Sequence, residues 1–305
     1  MYPITVILPV FNGMKYLQQS VSSVLNQDFK DFEFLIIDDC STDESWAYLQ
    51  AINDARVHIF KNEINTGLFY NLNFLIKKSN SNLIKLWSQD DVMETNCIQE
   101  ILAFHQRFPQ IGFSYSGRRY IDANGDFLNI SQIDETPELV SPQLHAHICF
   151  ITGSIAGNIA NVTLNKKTLE EVGYFNEQMK ISGDFEMWVR LAKDNPVGFI
   201  KKELVQLRNH KGQLSGQEKY FIYHLKEDIQ AYKILFGYIS KKQKEQGKKL
   251  LREKKLMFYY TLMIKAVLKG RLKTALKFLN LLSGFDNILI LTYCFFIQKL
   301  INKKS

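Results

Sequence analysis

Two pairs of adjacent carboxylates and one isolated acid are the residues here whose type and placement could do chemistry. Asp90 and Asp91 close a short apolar run that begins at Leu83, within NLIKLWSQDDVM. Asp38 and Asp39 close a second run over residues 32–37, and Asp184 follows Gly183 in MKISGDFEMWVRLAKDN. Adjacent carboxylates repel, so keeping both ionised in a cleft costs free energy unless a cation or a donor-rich ligand joins them. Hard oxygen ligands suit Mg2+ or Mn2+, and a phosphorylated ligand would complete such a site. The competing readings are structural: Asp91 capping a following helix, Asp38 and Asp39 capping a turn, Asp184 capping the helix at Phe185. Position weighs toward chemistry, because acids at the C-terminal ends of strands sit where open α/β sheets bind their ligands.

The elements that must position these acids are legible in order. Ile4–Val10 is β-branched and apolar, contains Pro9, and gives way to Phe11, Asn12 and Gly13, the punctuation of a strand entering a turn. Leu17, Val21, Val24 and Leu25 then keep helical spacing. The strand at 32–37 completes a β-α-β unit with acids at its mouth, and Ser41, Asp43 and Glu44 supply cap and first-turn acids for a helix to about Asn53. A strand at 57–60, a turn at Asn65, Thr66 and Gly67, and a helix marked by Leu68, Leu72, Leu75 and Ile76 lead back to Leu83. Beyond the acids, residues 98–108 read as a helix and 111–115 as a strand. Residues 117–146, with Pro137 and Pro142, read as a loop or hairpin over the cleft. Residues 158–164 read as a strand, Lys166–Val172 as a helix, 204–207 as a strand, and RNHKGQLS as a polar loop holding Arg208 and His210. Alternation of this kind predicts an α/β fold with a mostly parallel sheet and helices on both faces.

Composition sets the frame around that unit. Hydrophobic residues make up 46% of 305, enough for a large core plus an appendage, and disorder is excluded. The four cysteines are scattered without a CxxC pair, so neither a zinc site nor a disulfide framework is implied. Apart from His210, the histidines show no metal-ligand spacing. The N-terminus lacks the basic region of a secretory signal, and a cytoplasmic setting is expected. The net charge of +7 is unevenly distributed: residues 241–305 carry 16 Lys and Arg against 3 acids, residues 1–240 carry 22 against 28. A basic, apolar tail on an acidic body is no nucleic-acid groove and suits an anionic membrane surface. Ile288–Ile297 is too short to span a bilayer, so the expectation is an interfacial helix or a helical face packed on a twin subunit in a homo-oligomer.

Taken in order, ILPVFN, IIDDCSTD, the N-x-G turn, QDD and GDFEMW resemble the family 2 glycosyltransferases, inverting enzymes of the GT-A fold. The resemblance covers roughly residues 3–215 and implies two parts: a nucleotide-sugar-binding domain over 1–215 and a basic, amphipathic helical region over 216–305. It places Pro9, Phe11 and Asn12 at the nucleotide, Asp39 on the base with Asp38 securing the loop, and Asn65 and Gly67 in the donor-side turn. Asp90 falls to the ribose or donor sugar, Asp91 to Mn2+ or Mg2+, and Asp184 to the general base, with Glu186 as its competitor. His210 would reach the metal or the diphosphate. The chain departs from the family pattern at Ser88, where the fullest motif has an acid, and at Leu72, where many members have arginine.

The implied activity is transfer of a sugar from a nucleotide-sugar, expected to be UDP-linked, to a hydroxyl of a glycan or lipid-linked saccharide in surface polysaccharide synthesis. The tail would hold the enzyme peripherally at the inner face of the cell membrane. The rivals are a nucleotidyltransferase, which would bring a Gly-rich basic loop that ILPVFNGMK lacks, and a binding protein without turnover. A dinucleotide oxidoreductase is disfavoured because no G-x-G-x-x-G follows a strand.

Overall fold

β1 (Ile4–Val10) is buried on both faces because its apolar residues point both ways: Val6 and Leu8 join one core layer and Ile7 the other. β2 (Glu33–Asp38) divides in the same manner, with Phe34 and Ile36 on one side and Leu35 and Ile37 on the other. Such continuous apolar runs are the mark of strands covered by helices on both sides. The computed structural model describes residues 2–130, 134–212 and 217–301, and side chains through 297.

α1 (Met14–Leu25) and α2 (Ser45–Gln50) cover one face and α3 (Leu68–Lys78) the other, between β1, β2, β3 (Val57–Lys61) and β4 (Leu83–Leu86). The chain continues through β5 (Val92–Met93), α4 (Cys97–Arg107), β6 (Phe113–Ile121), β7 (Phe127–Leu128), β8 (Leu139–Val140) and α5 (Pro142–Thr152). β9 (Val162–Asn165), α6 (Lys166–Val172), α7 (Gly183–Leu191) and β10 (Val197–Arg208) complete the sheet layer. The strand order is β3-β2-β1-β4-β9-β6-β10-β5, with β7 on β6 and β8 on β10. β3, β2, β1 and β4 are mutually parallel, β6 and β10 are parallel, and β9 runs antiparallel between β4 and β6. The expected mixed, mostly parallel sheet with flanking helices is the observed one.

Several elements differ from their sequence reading. The acids at 90 and 91 lead into the short β5, not directly into a helix, so Asp91 caps nothing; α4 begins only at Cys97. Residues 158–164 split into a 3-10 turn at Ile159–Asn161 and β9. β6 and β10 are longer than expected and pair in parallel through Arg208 and Ile121, across register shifts between Ile200 and Val205. Charged residues masked them: Arg118 and Arg119 interrupt the apolar pattern of β6, and Arg119 pairs with Glu94 and Glu203. The stretch 117–146 is therefore not one loop, although 131–133 lie outside the described residues. Its last part enters α5, with Ser141 accepting the Leu144 N–H at 3.2 Å and Pro142 in the first turn. A cap followed by proline was a readable start signal.

The C-terminal helices are α8 (Phe221–Tyr238), α9 (Lys241–Leu251), α10 (Met257–Leu268), α11 (Leu272–Ser283) and α12 (Ile288–Ile301), with a π-helical turn at Arg252–Leu256. Their core includes Cys149 and Phe150 of α5 and Phe185 and Val189 of α7. The expected boundary near residue 215 thus falls between parts that share one hydrophobic core.

Candidate active site

The mouth of the sheet is built by loops that hold one another. After β1 the backbone turns through Asn12 in the left-handed region, φ 49°. Asn12 Oδ1 accepts from the Thr42 N–H at 2.8 Å and the Asn12 N–H donates to Ser41 Oγ at 2.9 Å, which ties the first loop to the second. The Phe11 N–H donates to Gln89 Oε1 at 2.9 Å, and Gln89 Nε2 donates back to the Phe11 carbonyl at 3.1 Å. This reciprocal pair docks the acid loop on the end of β1 and leaves the Phe11 ring 45% exposed, free to meet a flat ligand. A Cβ on Gly13 would lie 2.4 Å from the Gln89 side chain, so the close approach needs glycine. Pro9 sits in β1 beyond the last residue paired with β4, where its missing N–H costs no ladder bond on that side.

Asp38 and Asp39 divide their work. Asp38 Oδ2 accepts from the Ser41 N–H at 3.0 Å, while its buried Oδ1 has no hydrogen-bond partner among the described residues. Asp39 Oδ1 accepts from Asn62 Nδ2, the Thr66 N–H and Thr66 Oγ1 at 2.8, 2.8 and 3.0 Å, and Oδ2 accepts from the Gly67 N–H at 2.9 Å. Burial works to raise the Asp39 carboxyl, but the Thr66 N–H and the side chains of Asn62 and Asn71 hold it below the ordinary range. The second lone-pair direction on Oδ2 is the acceptor capacity left for a ligand. Asn65 Nδ2 reaches the Asp39 carbonyl at 3.4 Å, and Gly67 takes φ 91°, so the N-x-G turn is bound to the acid that precedes it by 26 residues or more. Leu72 lies wholly in the core.

Asp90 and Asp91 also separate. Asp91 is 1% exposed; Oδ1 accepts from the Arg208 N–H at 2.8 Å and Oδ2 has no hydrogen-bond partner among the described residues. Burial pushes its carboxyl up to about 7, with the Arg208 N–H opposing and the Asp90 charge adding to the rise. The Asp90 side chain is 24% exposed, and its Oδ2 lies 3.4 Å from His210 Nε2. Burial raises Asp90 as well, against the pull of His210 and Arg208. His210 Nδ1 accepts from the Gly212 N–H at 3.2 Å, which in the neutral ring places the proton on Nε2; that nitrogen, 3.4 Å from Asp90, makes no hydrogen bond of good geometry among the described residues. Arg208 is buried, donates to the carbonyls of Asp90 and Asp122 and to Gln19 Oε1, and stacks over Tyr16 with 4.6 Å to the ring centroid. It braces the acid loop. The residues of 208–215 beyond Gly212 lie outside the described residues. Beside Arg208 a cleft of about 230 Å³ is lined by Arg118, Tyr120, Gly157 and Asn158.

Asp184 stands in the first turn of α7, beside the start of α3 that follows the N-x-G turn. Phe69, two residues after Gly67, packs so close to Gly183 that a Cβ there would meet its ring at 2.7 Å. Asp184 Oδ1 accepts the N–H of the next residue, Phe185, at 2.7 Å, and Ser182 occupies the N-cap position instead. Burial pushes its carboxyl up to about 7, opposed by that N–H and reinforced by the charges of Asp228 and Glu227. Glu186 is committed elsewhere: Arg190 binds both its oxygens at 2.6 and 2.9 Å and anchors in turn to the carbonyls of Val172, Gly173 and Tyr174. Of the two acids, Asp184 keeps a carboxylate available.

Sequence reasoning missed Gln89, Thr66 and Glu227. Glu227, on α8, accepts the N–H groups of Lys180, Ile181 and Ser182 at 2.8, 2.9 and 2.8 Å, fixing the loop that delivers Asp184. No local pattern marks it, since it is one acid on an amphipathic helix.

The sheet order, with helices on both faces, is that of the GT-A fold. The chain belongs to glycosyl transferase family 2, whose family model matches residues 5–164. It is 26% identical over 215 residues to an uncharacterized glycosyltransferase of Rickettsia conorii, a match over 69% of this chain but 34% of that relative. With the chondroitin synthase of Escherichia coli it shares 26% over 204 residues, 65% of this chain and 28% of the synthase. The chain thus spans about a third of the length of these curated relatives. The crystal structure of S. aureus TarS 1–349 in complex with UDP-GlcNAc superposes over 92% of this chain and 80% of that one, with a TM-score of 0.71 and 19% identity.

Proposed function

We propose that the protein is an inverting glycosyltransferase that moves a sugar from a UDP-linked donor to a hydroxyl of a glycan or lipid-linked saccharide in the synthesis of a surface polysaccharide. The observation that carries this reading is Asp184, a carboxylate with open acceptor capacity, on a loop that packs against Phe69 two residues after the Gly67 whose N–H binds Asp39. Family membership and the UDP-sugar bound by TarS support a nucleotide-sugar donor, and the chondroitin synthase supports a polysaccharide product. Family membership also sets the nucleotidyltransferase aside.

In this reading Phe11 stacks on the base, and the remaining lone pair of Asp39 Oδ2 accepts from it. Asp184 accepts the proton of the acceptor hydroxyl as its oxygen bonds to the anomeric carbon; the bond from that carbon to the diphosphate breaks, and the electron pair leaves with the nucleotide. The carbon inverts because attack and departure occur on opposite faces. The negative charge of Asp184 also favours the oxocarbenium character of the transition state.

The acids fit a divalent cation. Asp91 Oδ2 is a buried carboxylate oxygen without a hydrogen-bond partner among the described residues, and Asp90 is the member of the pair that reaches solvent. Mg2+ or Mn2+ needs only one or two carboxylates beside phosphates and water, and when bound it offsets the charge that builds on the leaving diphosphate. The resemblance gave the cation to Asp91 and the ribose or donor sugar to Asp90; because Asp91 is 1% exposed and Asp90 lies in front of it at 24%, we move the exposed ligand to Asp90 with Asp91 behind it, and give His210 Nε2–H to a diphosphate oxygen. Incubation with UDP-, GDP- and dTDP-sugars plus Mn2+ tests the function: transfer or donor hydrolysis with a UDP-sugar is expected, and silence with the whole panel would sink it.

A further inference from the structure

α12 is apolar on the side that faces away from the protein. Leu289, Ile290, Tyr293, Phe296 and Ile297 are 75, 39, 68, 60 and 38% exposed, and their spacing puts them on one stripe. The opposite stripe does the packing: Leu291 and Phe295 are buried, the rings of Tyr260 and Phe295 meet at a tilt with centroids 5.3 Å apart, and the hydroxyls of Tyr260 and Thr292 meet at 2.8 Å. The helix is therefore seated firmly, and its outer face is surplus to folding. Two Arg252–Asp286 contacts of 2.5 and 2.7 Å pin the turn before it. On α11 and the turn before it, Leu268, Leu272 and Leu276 are exposed, interleaved with and followed by exposed Lys269, Arg271, Lys273 and Lys277.

We infer that this outer face of α12, with the basic rim around α11, is a docking surface for an anionic lipid bilayer and lies in its interfacial layer. Exposed apolar side chains interleaved with lysine and arginine, as on α11, together with the exposed apolar stripe of α12, are the composition that binds flat to such a surface. Among the described residues no single helix is long and apolar enough to cross a membrane, and α11 and α12 are bent by 107° relative to each other. A second copy of the chain fits worse. A two-fold contact through this patch would set the basic rim against its own equivalent, and of the three acids in residues 241–305 Asp286 is already held by Arg252. Anionic headgroups neutralise that rim while the stripe enters the acyl boundary.

The inference stands apart from the transfer chemistry, because vesicle binding needs neither donor nor acceptor. The test is co-sedimentation of the full chain with vesicles of phosphatidylcholine alone or with roughly a third phosphatidylglycerol. Binding to the anionic vesicles at low salt, and its loss at about 1 M salt, is expected. The variant L289S/Y293S/F296S and the variant K269Q/R271Q/K273Q/K277Q should each lose about 100-fold in vesicle affinity with unchanged circular dichroism. Absence of binding to anionic vesicles would overturn the proposal. So would equal binding by the wild type and both variants, or a concentration-dependent dimer dissolved by the apolar variant in a protein that ignores vesicles.

Discussion

At the scale of single residues, the acids of this protein are distinguished by what already binds them. Asp39 is nearly saturated by the Thr66–Gly67 turn, Glu186 is consumed by Arg190, and Asp184 retains acceptor capacity with its carboxyl raised to about 7. A base must be ionised to act, so the transfer rate should climb with pH through a midpoint near 7, read from a rate-pH profile at saturating donor. Asp184→Asn should abolish turnover, by at least about 100-fold, while donor binding by calorimetry persists. The same shift has a stability sign. A carboxyl raised above its unfolded value holds its proton longer in the folded state, so stability falls as pH rises from about 4 toward 7. Asp184→Asn should therefore melt higher than wild type above pH 7, by about 2–4 °C for each kcal/mol relieved. For the cation, Asp90→Asn should raise the Mn2+ needed for half-maximal activity at least about tenfold. His210→Ala should lower kcat and leave that requirement unchanged; an equal rise in both variants would make His210 a metal ligand.

At the scale of elements, the placement of Asp184 depends on contacts from outside α7. Glu227 of α8 takes three backbone N–H groups from the preceding loop, and Phe69 of α3 leaves room only for glycine at 183. Hydrogen bonds to a charged acceptor are worth about 1.5–3 kcal/mol each before the relaxation that follows their loss. Glu227→Gln retains the shape and one acceptor oxygen, and should lower kcat by about tenfold with a smaller change in donor KM. Equal kcat in wild type and variant would show that the loop holds itself. Gly183→Ala should act through Phe69, displacing the donor-side turn and weakening donor binding in a titration.

At the scale of the whole molecule, the sheet-bearing part and the C-terminal helices share one hydrophobic core. Phe185 and Val189 of α7 lie in the same core as Leu225, Ile229 and Tyr232 of α8, so a chain ending at residue 215 would expose that face to water. Burial of each such side chain is worth about 1.5–3 kcal/mol. The 1–215 truncation should lose its cooperative thermal transition and its soluble yield; a folded, donor-binding fragment would contradict the shared core.

The order of strands and helices through β4 and the identity of the acids were determined locally. Apolar runs of period two or 3.6 report burial directly, and acids placed just after buried strands must lie at the sheet's C-terminal edge. ILPVFN, IIDDCSTD, QDD and GDFEMW are each read within a dozen residues, so the GT-A unit was legible. What the sequence could not convey is which partner each acid meets, because that is decided between residues far apart in the chain. Gln89 reaches Phe11 across 78 positions, Asp91 meets Arg208 across 117, and Glu227 grips a loop 45 to 47 residues earlier. A carboxylate's chemistry depends on its desolvation and its remaining lone pairs, and both exist only once the tertiary structure has brought those partners in.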